Sequence, residues 1–214
     1  MAISTDGSLS RSAYESLTER LVLLDIAPGA PINEQELMSS LGVGRTPLRE
    51  ALKRLESDHL VVTYPRRGTF ASPVDITALT EISEIRRSLE PLAARLAAQR
   101  CGVDDRADLK RLRAALSKVR PSTSARDLMD LDLQVHRTIH AATHNRHLQA
   151  ALERYGNLAT RIWSVAAPRL TDAQGHIVEH IELVDAVAAG DADRAEALMK
   201  AHMLDFEQRI RTVL

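Results

Sequence analysis

Leu41-Gly-Val-Gly-Arg-Thr-Pro-Leu-Arg-Glu-Ala-Leu52 is the stretch on which the fold turns. Gly42 suits the left-handed stop of one helix. A second helix is predicted to follow at once, with Thr46 as its N-cap and Pro47 at its first position, where no N–H is needed. Leu48, Ala51, Leu52 and Leu55 then recur at helical spacing as a buried stripe, and Arg45, Arg49 and Lys53 fall on the side left to solvent. Upstream, Asn33 and Glu36 form a capping-box pair for a short helix whose buried contacts are Leu37 and Leu41. Tyr14, Leu17, Leu21 and Leu24 predict an earlier helix from about Ser10 to Ile26, which Pro28-Gly29 stops. Downstream, Val61-Val62, the turn Pro65-Arg66-Arg67-Gly68 and Thr69-Phe70 predict a short β-hairpin. Two helices joined by a tight turn and followed by a basic hairpin have the layout of a winged helix-turn-helix.

Composition narrows the classes around this reading. The 214 residues carry a net charge of −1, so the chain is no bulk polycation. Its cations are concentrated instead: Arg45, Arg49, Lys53, Arg54, Arg66 and Arg67 face only Glu50, Glu56 and Asp58 between Val43 and Phe70. In such a layout Arg49 reaches a guanine edge, Arg45 and the wing arginines meet phosphates or the minor groove, and Thr46, Lys53 and Gly68 complete the candidate DNA surface. Aromatic residues make up 3%, too few for a single-strand binder built on base stacking. No run approaches the ~18 apolar residues of a membrane span, and no basic-then-apolar signal opens the sequence. The single cysteine, Cys101, excludes a disulfide framework and any multi-cysteine zinc site; it reads as a small, half-buried residue near a helix end. These features together predict a cytoplasmic protein without membrane partners.

From Asp75 onward the periodicity is helical throughout. Six helices are predicted, near residues 75–100, 104–118, 124–144, 147–167, 172–189 and 191–212, with Asp75, Asp104, Asp172 and Asp191 as N-caps and a kink at Pro91. The domain boundary is placed near Ser72-Pro73. The expected fold is thus mainly α: a winged helix-turn-helix over residues 1–73, then an antiparallel bundle of about six helices over residues 74–214.

Eight histidines are unevenly spread over the chain. Asp132 and His136 are four apart and share a helix face. His180 lies among Ile177, Ile181 and Val184, and His202 among Leu198, Met199 and Phe206, so both should point inward. Side chains on facing helices are how bundles build metal sites. Imidazoles with a carboxylate suit zinc, nickel, iron or manganese. The same pattern is open to a plainer reading, in which each inward histidine is a hydrogen-bonded core residue. His140 and His144 continue the spacing of His136 but have polar neighbours, His176 sits nearer the polar side of its helix, and His59 and His147 read as solvent-facing.

The run Leu41 to Leu52, with Arg54-Leu55-Glu56, Pro65-Arg-Arg-Gly68, Pro28-Gly29 and Glu36-Leu37, resembles the GntR family of regulators over about residues 10–72. Gly44 departs from that family's usual Ser or Thr, and Gln35 stands where some members have arginine. The segment Glu84-Ile-Arg86-Arg-Ser-Leu-Glu90, the pair Asp132 and His136, Glu179-His180 with Asp185-Ala-Val187 and Gly190-Asp191, and His202 resemble the FCD effector domain of the FadR subfamily. Val135 departs from that group's common Phe. The resemblance implies a divalent metal, zinc, nickel or manganese, on Asp132, His136, His180 and His202, with Arg86 holding a small carboxylate effector. One recognition helix buries too little surface for a specific regulator, so a homodimer that reads a palindromic operator is predicted, with the helical domain as its interface. The resemblance implies a repressor released by its ligand, rather than an enzyme. A metalloenzyme is the rival class, since such a site with an open position can activate water, but it leaves the winged helix without a role. A sensor of the metal itself is the third reading.

Overall fold

Residues 5–169 and 173–213 are described by the computed structural model. The chain divides into two compact units, Met1–Val74 and Asp75–Leu214.

In the first unit α1 (Thr5–Val22) packs on α3 (Arg45–Ser57), with α2 (Glu34–Leu41) against α3. Leu17, Leu21, Leu48 and Leu55 are fully buried between these helices, each stabilising the fold by about 1.5–3 kcal/mol relative to exposure. Asn33 caps α2 by accepting from the Glu36 N–H at 3.2 Å, and Gly42 closes it with φ +64°. Two local expectations are corrected. α1 stops at Val22 and starts earlier than predicted, and Leu24 takes a left-handed turn (φ +61°) beyond the helix. α3 begins at Arg45 with Gly44 as N-cap and no side-chain cap, so Thr46 is the second helical residue rather than the cap. Pro47 still lies in the first turn, where its missing N–H leaves no carbonyl unpaired.

Strands β1 (Val61–Tyr64) and β2 (Gly68–Ala71) form the antiparallel hairpin, with Thr63 opposite Thr69. Its turn uses positive φ at Arg66 (+64°) and Gly68 (+95°). The hairpin is tied down on two sides. Glu56 at the end of α3 accepts the Thr63 N–H at 2.8 Å, and β2 bonds the 30–32 segment through Ala71 N–H to Ala30 O at 2.8 Å and Ile32 N–H to Thr69 O at 2.8 Å.

The second unit is built around α4 (Leu79–Arg100), which packs on α6 (Ala125–Ala142), α7 (Arg146–Ala166), α9 (His180–Ala189) and α10 (Ala192–Arg211). Its C-terminal half is lined by Ala93, Ala94, Ala97 and Ala98, all buried, which lets its neighbours approach closely. α4 continues through the buried Pro91. α5 (Val103–Leu116) leans on α6 and α9, and α8 (Ala173–Val178) on α6 and α9.

Asp191 caps α10 as expected, accepting from the Arg194 N–H at 3.1 Å. Asp75 instead caps the 3-10 turn Ile76–Ala78, accepting from the Thr77 N–H at 2.9 Å. Asp104 is inside α5, which starts after Gly102 because Asp105 reaches back to the Gly102 N–H at 2.8 Å. Asp172 lies outside the described residues. The single helix expected over 172–189 is broken at Glu179 into α8 and α9. No helix among the described residues is long and apolar enough to cross a membrane.

Candidate DNA-reading surface and buried histidine centre

In the first unit the amphipathic pattern of α3 separates its residues cleanly. Leu48, Ala51, Leu52 and Leu55 are buried, and Arg45, Thr46, Arg49 and Lys53 are exposed on the rest of its surface. Arg66, Arg67 and Gly68 are exposed at the hairpin turn. Arg54, in contrast, lays its guanidinium over the Tyr14 ring at 3.7 Å. Tyr14 donates to Asp58 at 2.8 Å; burial, then this bond to a carboxylate, raises its phenol to about 12. Arg54 is also exposed, but this contact ties it to α1 as well as to the surface of α3.

The second unit holds a buried polar centre. Asp132, His136, His180 and His202 are all buried, and each offers a ligand atom within 4.8 Å of the others. Helical spacing on α6 supplies the first two, and α9 and α10 supply the others. The ring centroids of His136 and His202 are 5.4 Å apart, and those of His180 and His202 are 4.2 Å apart. Asp132 Oδ1 lies 3.6 Å from His180 Nε2.

The chemistry of this set fits a metal. Asp132 Oδ1, His136 Nε2, His180 Nε2 and both ring nitrogens of His202 are buried without a hydrogen-bond partner among the described residues. Each such atom costs about 1–3 kcal/mol if nothing satisfies it. Asp132 Oδ1 and His180 Nε2 are 3.6 Å apart and the four ligand atoms all lie within 4.8 Å of one another, so these residues could hold one divalent ion together. Burial pushes the His180 imidazole down to about 3 and His202 well below its ordinary value. Both rings are thus neutral near pH 7, as ligation requires. Burial alone would raise the Asp132 carboxyl, but the attraction of His136, His180, His176 and Arg86 outweighs it and holds the group below its usual value.

Arg86 is close by but already engaged. Its Nε and Nη2 donate to Glu90 Oε1 at 3.1 and 2.9 Å. Glu90 Oε2 lies 3.1 Å from His136 Nδ1 and 2.9 Å from His140 Nε2. Burial opposes ionisation of Glu90, yet His136, His140 and Arg86 hold its carboxyl well below the usual range. A narrow cleft of about 10 Å³ reaches Arg86, His136 and His140 past Arg137 and Asn157, room for about one water. On the α9–α10 side a pocket of about 320 Å³ opens beside His180 and His202, edged by Glu179, Glu182 and Asp205.

Two histidines correct the sequence reading. His140, expected on an exposed face, is 1% exposed, because Glu90 from α4 gives it a buried partner. His176, expected near the polar side, is fully buried, stacked on Trp163 and His202 at 4.6 and 4.3 Å with Asp205 at 3.2 Å from its Nδ1. Glu90 itself was read only as part of the FCD resemblance. His59, His144 and His147 are exposed, and Cys101 is buried at the end of α4.

Comparison with known proteins places both units. Residues 9–71 match the family described as "Bacterial regulatory proteins, gntR family", and residues 81–205 match the FCD domain. The Nta operon transcriptional regulator of Aminobacter aminovorans is 31% identical over 82% of this chain and 82% of its own length. The HTH-type transcriptional repressor RspR of Escherichia coli is 24% identical over 96% of this chain and 90% of its own length. The solved structure of E. coli McbR/YncC superposes with a TM-score of 0.81 at 22% identity, covering 95% of this chain and 97% of that one, and so shares the fold. The chain belongs to the GntR family of bacterial regulatory proteins, carries an FCD domain, and is a DNA-binding transcriptional regulator rather than an enzyme.

Proposed function

We propose that this regulator is a cytoplasmic homodimeric repressor, released from a palindromic operator when a small carboxylate binds at a divalent metal in the helical unit. The convergence of unpartnered buried atoms from Asp132, His136, His180 and His202 carries this reading. An apolar protein interior tolerates such a set only when something satisfies it. Three imidazoles and one carboxylate suit zinc, nickel or manganese, and a metal held by four protein ligands supplies open positions to an anion when it takes higher coordination. Arg86 is the carboxylate partner in this account. With Nε and Nη2 on Glu90, it meets the effector through Nη1, and the narrow cleft beside it widens on binding.

On DNA, Arg49 reads a base edge from α3, Arg45 and Lys53 meet phosphates, and Arg66 and Arg67 reach from the wing across Gly68. Thr46, freed from capping, offers its hydroxyl and N–H to a phosphate at the start of α3. Two copies related by a two-fold axis read two half-sites. RspR, a similar regulator, is a repressor, which supports the sign of regulation. Binding of the effector shifts the balance between two dimer arrangements only as far as its affinities for them differ.

Three measurements test this reading together. Elemental analysis should find about one metal per chain, light scattering a dimer, and gel shifts a loss of operator binding with a carboxylate only while metal is present. Metal-free protein that still answers the carboxylate would remove the metal from the mechanism. Release by the metal alone would make the ion the signal.

A further inference from the structure

A neutral imidazole carries its lone pair on one nitrogen only, so each histidine of the buried centre must present the correct nitrogen to bind an ion. His180 does so by donating from Nδ1 to the Ile177 carbonyl at 3.1 Å, which leaves Nε2 for the centre. For His136 the group at Nδ1 is Glu90, at 3.1 Å. We propose that Glu90 is a positioning residue that sets the tautomer of His136 and thereby makes this ring a metal ligand. The inference rests on the metal reading above, though its first observable does not.

Both oxygens of Glu90 are committed. Oε1 takes two donors of Arg86, and Oε2 takes His136 and His140. The residue is 0% exposed, so water does not stand in for it. An ionised carboxylate only accepts. The ring proton of His136 therefore sits on Nδ1, and its lone pair on Nε2, the buried nitrogen left for the centre. Glu90, His136 and His140 also lie within 4.8 Å of one another, but the Arg86 guanidinium at 2.9 Å already supplies the positive charge there.

The isosteric change Glu90→Gln separates positioning from packing. A guanidinium only donates, so the new amide keeps its oxygen toward Arg86 and turns its NH₂ toward the two imidazoles. His136 then accepts at Nδ1 and carries its proton on Nε2, where an ion would bind. One ligand is lost without being altered.

Nitrogen-15 spectra of the ring nitrogens in chelator-treated protein read the tautomer, and competition titration with zinc ion alone reads affinity. Wild-type protein should show His136 protonated on Nδ1. Glu90→Gln should show it protonated on Nε2, with zinc affinity about 10- to 100-fold weaker, the size typical of lost support behind a metal ligand. Thermal melting of the metal-free variant reports separately on packing. An Nε2-protonated His136 in the wild type would overturn the proposal, and that measurement decides even if the variant does not fold. A folded variant with unchanged tautomer and unchanged zinc affinity would overturn it too. Wild-type protein that binds no zinc would instead overturn the metal reading, while the metal-free tautomer still tests the hold of Glu90.

Discussion

The two units carry their polar chemistry in opposite ways. In the first, Arg45, Arg49, Lys53, Arg66 and Arg67 stand in water on a leucine-packed frame; on the proposed reading they serve a partner outside the chain. In the second, Asp132, His136, His180 and His202 are inside the frame, where atoms left unpartnered weigh directly on stability. Substitution should therefore separate binding from stability in the first unit and couple them in the second.

The largest expected effect tests that coupling. His180→Ala or His202→Ala should fall from about one metal per chain to almost none, a loss beyond the ~100-fold seen when only supporting groups go. Wild-type metal content in either variant, measured on purified protein, would reduce these rings to ordinary core histidines.

Acid should act next, on the metal-free protein. His180 is held at about 3 in the fold against about 6.5 in an unfolded chain, and burial lowers His202 as well. Below about pH 6.5 the unfolded chain binds protons that the folded chain refuses, so stability is intact above that value and falls with acid. Each such ring costs up to about 1.4 kcal/mol per pH unit. Asp132 and Glu90, both lowered, add losses only at more acid values, below the usual carboxylate range. A melting temperature of chelated protein that is unchanged between pH 7 and pH 5 would contradict this account.

Arg49→Ala should weaken operator binding by about 1–3 kcal/mol and blur sequence preference, with thermal stability unchanged. A loss of stability in this variant would break the contrast between the units. The smallest effect belongs to the wing. Arg66→Ala or Arg67→Ala should weaken all sequences alike and lower the salt slope by about one; titrations at several salt concentrations distinguish this from loss of base reading.

Local rules made the first unit legible. Asn33, Gly42 and the leucine stripe of α3 act within a turn or two of themselves. The exact start of α3 was not legible, because Thr46 and Gly44 are both acceptable caps and the backbone chose Gly44. In the second unit the spacing of Asp132 and His136 and the apolar neighbours of His180 and His202 pointed inward correctly. What escaped was the burial of His140 and His176, which depends on Glu90, 50 positions away, and on Asp205, 29 positions away. A polar side chain enters a core only when its partner arrives from another helix, and no local pattern records that meeting. The break at Glu179 was hidden for a similar reason, since the run from Gln174 to Ala189 keeps helical periodicity across it.

The ties on the hairpin bear on how fast this protein can read DNA. Glu56 fastens β1 to the end of α3, and the 30–32 segment fastens β2. On the proposed reading the main chain of this surface is organised before any encounter, and only its arginine and lysine side chains must be stilled, at about 0.5–1.5 kcal/mol each. Docking then has no backbone to arrange first. Association should follow charge-steered diffusion in a single kinetic phase, its rate falling with salt; cutting the Glu56 tie would add a slower phase as the wing searched for its place.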